Sequence, residues 1–227
     1  MLCPIPTRRF ILLFIPLTLL FTTCQNNADS SGKTDGENAE EVDLTLDFAT
    51  AKGMALTLEA NHSTIGFSLP IAGGATTVRG SFHRSNLFID YISGDLEASQ
   101  VEFLIDASSI DTDITNRDND LRGPTFFDVE KHPFIRFKSS RIQRIENGWI
   151  AKGTFSMKGI SKDLSIPFEV TEQTESSLGI KIRMELSRID FGVGADWKHT
   201  AIPNFLAENV QVEIDFWTRK AKIQNGD

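Results

Sequence analysis

Apolar and polar residues alternate along most of the chain from about residue 54. Ile65, Phe67 and Leu69 alternate with Thr64, Gly66 and Ser68, and Val78, Gly80 and Phe82 with Thr77, Arg79 and Ser81. Leu87, Ile89 and Tyr91 flank Asp90, and Val101, Phe103 and Ile105 oppose Glu102 and Asp106. After a break the pattern resumes at Ile135 and Phe137, then at Trp149, Ala151, Gly153, Phe155 and Met157. It continues with Leu164, Ile166, Phe168 and Val170, with Ile180, Ile182, Met184 and Leu186, and with Val210, Val212, Ile214 and Phe216. A period of two belongs to strands with one wet and one dry face. The spacing predicts an all-β fold of about eight antiparallel strands and no long helix. Gly73-Gly74 and Asn147-Gly148 read as turns, the second as a tight hairpin. Pro167 falls inside a strand pattern and is expected on an outward face, at an edge or by a bulge.

Two stretches break the alternation. Ser108 to Ser139 is a polar connection that holds a short helical signal and the apolar pair Phe126-Phe127. Connections this long inside a compact domain are usually functional or structured, and this one reads as a lid-like crossover. Phe191 to Pro203, rich in Gly and polar residues, reads as a second long loop. The dry faces are buried either in a sandwich or in a closed barrel. Eight strands close around an interior that can hold one small ligand. Alternation alone does not choose between the two.

The N-terminus has a different character. Arg8 and Arg9 precede an apolar run of about 12 residues, Phe10 to Phe21. That is the layout of a secretion signal and falls short of the roughly 20 residues a helix needs to span a bilayer. Residues 1–23 are therefore expected to be a signal peptide. Phe21-Thr22-Thr23-Cys24 resembles a bacterial lipobox, in which the cysteine is acylated and becomes the mature N-terminus; the alternative is an ordinary cleavage site beside an incidental Cys. Residues 24–42 would then be the lipidated Cys24 and a tether, since QNNADSSGKTDGENAEEV has almost nothing to bury. The folded domain is expected over residues 43–220, with a C-terminal tail at 221–227. This organisation predicts a membrane-anchored protein of the bacterial cell envelope that faces the periplasm.

Charge narrows the partners. Loss of residues 1–23 removes two arginines and no acid, which takes the net charge from −8 to −10. That balance argues against nucleic acid, which needs clustered Lys and Arg. The cysteines, Cys3 and Cys24, both precede the domain, so no disulfide staples it. The four histidines, His62, His83, His132 and His199, lack metal-ligand spacing. Asp111, Asp113, Asp118 and Asp120 lack the Gly and closing Glu of a calcium loop. No G-x-S-x-G elbow surrounds Ser108 or Ser109. No metal, cofactor or catalytic residue is expected. The excess is Phe, 17 against one Tyr and three Trp, which suits either a filled core or an apolar cavity.

The wording of the crossover is similar to that of the YceI-like family of periplasmic polyisoprenoid-binding proteins. The matching pieces are Ser109-Ile110-Asp111-Thr112, Arg117-Asp118 with Leu121-Arg122, Phe126-Phe127-Asp128-Val129, Pro133, and Phe137-Lys138-Ser139. Gly153, Lys158-Gly159 and Asp190-Phe191-Gly192 follow in order, and the resemblance covers roughly residues 55 to 218. One departure is Asp120, where the family commonly has a His. The resemblance implies an extended, antiparallel, eight-stranded lipocalin-like barrel with a short helix in the crossover. It also implies a tunnel for a polyisoprenoid or similar long-chain lipid, held without a chemical step by a carrier, store or sensor. The residues expected against the ligand are Ile65, Phe67, Val78, Phe82, Phe103, Ile105, Ile135, Phe137, Phe155, Met157, Phe168, Ile182, Met184 and Phe216. Phe126 and Phe127 would close or contact the tunnel. Two roles stay open for Arg117: meeting a polar headgroup, or an ion pair with Asp118 or a neighbouring acid. An enzyme acting on lipid-linked or quinone-like substrates and a structural domain with a filled core also stay open, as does oligomeric state.

Overall fold

A computed structural model describes residues 51–221 of the 227. The expected signal peptide, Cys24, the tether and the tail from residue 222 lie outside the described residues, as does the expected start of the domain at residue 43. In chain order the elements are β1 (Met54–Leu58), β2 (Thr64–Ile71), β3 (Thr76–Phe82), β4 (Ser85–Tyr91), β5 (Gln100–Asp106) and β6 (Ile110–Asp111). They continue with α1 (Thr115–Arg122), β7 (Phe134–Ile145), β8 (Gly148–Met157), β9 (Ile160–Gln173), β10 (Leu178–Ser187) and β11 (Asn209–Lys220).

Eight strands close into an antiparallel barrel in the order β1-β4-β5-β7-β8-β9-β10-β11, and β11 pairs back onto β1. β11 is long enough to serve two partners. Its C-terminal part pairs with β1, Leu58 opposite Thr218, and its N-terminal part with β2, Ile65 opposite Ile214. β2, β3 and β6 thus extend one end of the wall. Two segments read as strands from alternation, at 65–69 and 78–82, belong to this extension, and the short Met54–Leu58 closes the ring in their place. Only Met54, Leu56 and Leu58 carry its apolar face, too short a run to be isolated by period alone.

The dry faces point into the barrel as the alternation requires. Leu56, Leu87, Phe103, Phe137, Phe155, Ile166, Ile182 and Phe216 are all buried in one core. At the end away from the extension Tyr91 is buried, and its hydroxyl accepts a hydrogen bond from Gln173 Nε2 at 2.8 Å. On the outer surface the polar pattern fails at Phe88 and Leu104, which form a second cluster with Ala51, Ala55 and Phe134.

Two local features shape the wall. The β7–β8 register shifts between Ser139 and Arg141, and Gly153 lies opposite Ser139. A Cβ at Gly153 would come 2.1 Å from the Lys138 carbonyl oxygen, so only glycine lets the strands approach there. The β9–β10 ladder runs from Gln173 opposite Leu178 to Glu169 opposite Lys181 and stops. Pro167 sits just beyond that point, exposed and still in register with Ile150 of β8. Its missing N–H therefore costs no ladder hydrogen bond. The β7–β8 hairpin turns on Glu146-Asn147, with Ile145 opposite Gly148, so the expected Asn-Gly turn is displaced by one residue. Between β8 and β9 the turn is made by a left-handed pair, Lys158-Gly159 (φ 49° and 74°).

Candidate functional site: an apolar cavity

The crossover is anchored before it covers anything. Arg84, after β3, donates through Nε to Asp106 Oδ2 at 2.8 Å and through Nη2 to Ser108 Oγ at 2.8 Å. Arg122, in the last turn of α1, donates to the carbonyls of Ser108 (2.8 Å) and Ile110 (2.7 Å). A cation at a helix C-terminus is also favourably placed against the helix dipole. Beyond α1 the N–H of Phe127 donates to the Leu121 carbonyl (3.0 Å) and that of Phe126 to Gly123 (3.1 Å). The Phe127 ring meets Phe82 edge-on, centroids 5.8 Å apart, and Phe82 in turn meets Phe67 at 5.8 Å. These rings close the extended end of the barrel.

The loop between β10 and β11 completes the closure, held by two cations that bind main-chain oxygens. Arg188 is buried; its Nη1 donates to the carbonyls of Val193 and Gly194 (2.8 Å each) and its Nε to Ala207 (2.7 Å). Burial holds its guanidinium below the ordinary value, with Glu208 pulling the other way. Lys158 Nζ donates to the carbonyls of Thr125 (2.9 Å) and Gly192 (2.8 Å), so one side chain ties the crossover to the β10–β11 loop. Burial lowers its pKa too, against the attraction of Asp128 and Asp196. Inside this closure Phe191 is buried edge-on against Phe155, centroids 5.2 Å apart. Nearer the surface, Trp197 packs at 6.4 Å from Phe126 and 6.0 Å from Phe205.

Behind these loops lies a cavity of about 140 Å³ onto which no polar atom opens. Arg188 contributes to its wall, but its nitrogens are turned onto carbonyls. A second chamber of about 40 Å³ lies deeper in the barrel. Of the residues expected against a ligand, Ile65, Phe67, Phe82, Ile105, Ile135, Phe155, Met157 and Met184 line the first, together with Phe126 and Phe127. Phe137, Phe168 and Phe216 line the second, and Phe103 and Ile182 line both.

Two expected residues line neither chamber. Val78 lies on β3 four residues before Phe82, where β3 pairs only with β2; β6 reaches only Ser81 and Phe82. Arg117 donates to Thr112, through Nε to Oγ1 and through Nη2 to the carbonyl, both at 2.8 Å. It binds neither a carboxylate nor the cavity, so the expected ion pair is replaced by a bond to a hydroxyl and a carbonyl. Ile166, Val212 and Ile214, which also line the first cavity, were already visible on dry strand faces. Ile110, Leu121, Val193, Leu206 and Arg188 carry no such signal, because they come from loops, a short strand and a helix.

Among the described residues, no group of three or more His, Cys, Asp or Glu is placed to hold a metal ion. The curated relatives include a UPF0312 protein of Yersinia pestis, 26% identical over 136 residues, which make up 60% of this chain and 70% of that protein. A UPF0312 protein of Yersinia enterocolitica is 25% identical over the same shares of the two chains. Among solved structures, BcnA of Burkholderia cenocepacia superposes with a TM-score of 0.63 at 19% identity, over 70% of this chain and 98% of that one. A polyisoprenoid binding domain from Saccharophagus degradans gives a TM-score of 0.60 at 14% identity, over 74% and 99%. The YceI-like domain profile matches residues 56–217, a span that starts in the strand closing the ring and ends in the one it closes against. On that match, which covers most of the chain, the chain belongs to the YceI-like domain family.

Proposed function

We propose that this protein binds a polyisoprenoid or similar long-chain lipid inside its barrel, as a carrier, store or sensor in the cell envelope, without a chemical step. The observation that carries this reading is a cavity inside the barrel whose exposed wall is wholly carbon. A site with no donor or acceptor facing it selects for hydrocarbon, because a buried polar group of the ligand would lose its hydrogen bonds. The likeness to a polyisoprenoid binding domain supports the same ligand class. The lack of a titratable group turned into the cavity supports binding over catalysis. Anchoring through Cys24, in a membrane facing the periplasm, is part of the proposal and rests on the lipobox-like tetrapeptide.

The test is organic extraction of the purified full-length protein followed by mass spectrometry, with native mass spectrometry of the same sample. A long-chain prenyl or related lipid at a fixed ratio is expected. No co-purifying lipid, together with no uptake of added prenols, overturns the reading. For the anchor, Cys24→Ser is expected to move the protein from the detergent to the aqueous phase in a phase partition. Wild type already in the aqueous phase overturns that part.

A further inference from the structure

The cavity is small for the ligand it is proposed to hold. An apolar cavity of roughly 150 Å³ takes about one benzene ring, and the main chamber here measures about 140 Å³. A long chain therefore needs more room than this chamber offers, and the room closest to it is the second chamber. The two share three wall residues, Phe103, Ile166 and Ile182. In the ring order β5 stands opposite β10, four strands away by either route. Phe103, on β5, reaches across the lumen until its ring lies 6.3 Å from Phe216 of β11, while its other neighbour is the cross-strand Phe137 at 5.6 Å. All three rings are buried. Phe103 is thus a partition across the barrel.

We propose that Phe103, which with Ile166 and Ile182 borders both chambers, is the chain-length determinant of this protein. Hydrocarbon enters the deeper chamber only when the Phe103 ring leaves its place beside Phe137 and Phe216. Chains that end short of the ring are held as the barrel stands; longer ones must displace it. The polar end of the ligand stays outside the chambers, because neither offers it a partner. This inference rests on the lipid-binding reading above.

The experiment titrates wild type, Phe103→Leu and Phe103→Ala with a series of prenols, from geraniol through farnesol and geranylgeraniol to longer homologues, by native mass spectrometry. Each further methylene that finds apolar room is worth about a fourfold gain in affinity. Both variants are expected to shift the preferred prenol to a longer one, Ala more than Leu, with the long-to-short affinity ratio rising at least about tenfold. Met184→Leu, which touches only the main chamber, is expected to change the affinity for all lengths together. If Phe103→Ala does not fold, Phe103→Leu carries the test. An unchanged length preference in a folded Phe103 variant overturns the partition. Wild type that binds no prenol of any length overturns the lipid-binding reading instead, so the two failures are distinct.

Discussion

The hydroxyl of Thr112 donates to the carboxylate of Asp118, and the Thr112 N–H donates to the same oxygen at 2.9 Å. Both residues are buried, and Arg117 binds the other side of Thr112. Asp118 therefore acts as the internal cap of the crossover, and its neighbour Arg117 pairs with the same hub rather than with it. Asp118→Ala leaves a buried N–H and a buried hydroxyl without an acceptor, which costs about 1–3 kcal/mol. The apo melting temperature is expected to fall accordingly. Arg117→Ala, at a half-buried position, is expected to cost less. Equal losses in both variants would contradict this ordering.

A second expectation concerns the narrow point of the wall. Gly153 would be an attractive inward position to enlarge if its only neighbour were the lumen. Its Cβ direction instead runs into Lys138 O and Ser139 Cα, at 2.1 and 2.7 Å, beside the β7–β8 bulge. Gly153→Ala is expected to cost about 1–3 kcal/mol or more through strain in the main chain, read as a lowered urea midpoint. Gly179→Ala, whose nearest obstacles are side-chain atoms of Thr171 and Trp217, is expected to cost less. A neutral Gly153→Ala would show that the bulge yields.

Arg188 gives the third. Arg188→Met removes the donors of three carbonyls in the β10–β11 loop. The loop is expected to become the preferred site of limited proteolysis, in its exposed part from Ala201 to Asn204. Arg188→Lys restores the charge but not the forked geometry, and is expected to protect only in part. Full protection by Lys would mean that charge alone holds the loop.

The fourth follows from Asp111. The Asp113 N–H and, after it, His83 hold its carboxyl below the usual value of 3.8. A carboxyl lowered in the folded state contributes stability that is present above its unfolded value and lost as pH falls through its folded one. The gap in melting temperature between wild type and Asp111→Asn is thus expected to be present at neutral pH and to narrow as the pH falls below 3.8. A gap that widens as the pH falls below 3.8 would reverse the sign.

The strands could be read from residues such as Phe103, Ile105, Ile135 and Phe137, because a buried face imposes its period of two on the sequence; that they close into a ring was implied only by the family resemblance. Phe126 and Phe127 were legible for another reason: two adjacent rings stand alone in a polar stretch. What escaped was whatever lacks a period. Met54–Leu58 is too short to show one, and Arg188 looks like any charged loop residue until its carbonyl partners are known. Val78 misled because alternation reports which face a residue is on and not how far along the barrel it lies. The fate of Arg117 turned on Thr112, five residues away, whose hydroxyl no charge count would consider.

The β9–β10 ladder that stops at Glu169 leaves the barrel with something that closure normally abolishes, a free strand edge. Residues Ile160 to Phe168 pair on the β8 side alone. A free edge is a template for adding a strand from another molecule, and proteins blunt such edges with proline and charge. Here Pro167 withholds a donor, Asp163 is exposed, and Lys162 is held 3.1 Å from Asp190. The residue that looked out of place in a strand is therefore one of three that blunt this edge. Its replacement by a valine would leave the barrel able to fold and newly able to aggregate.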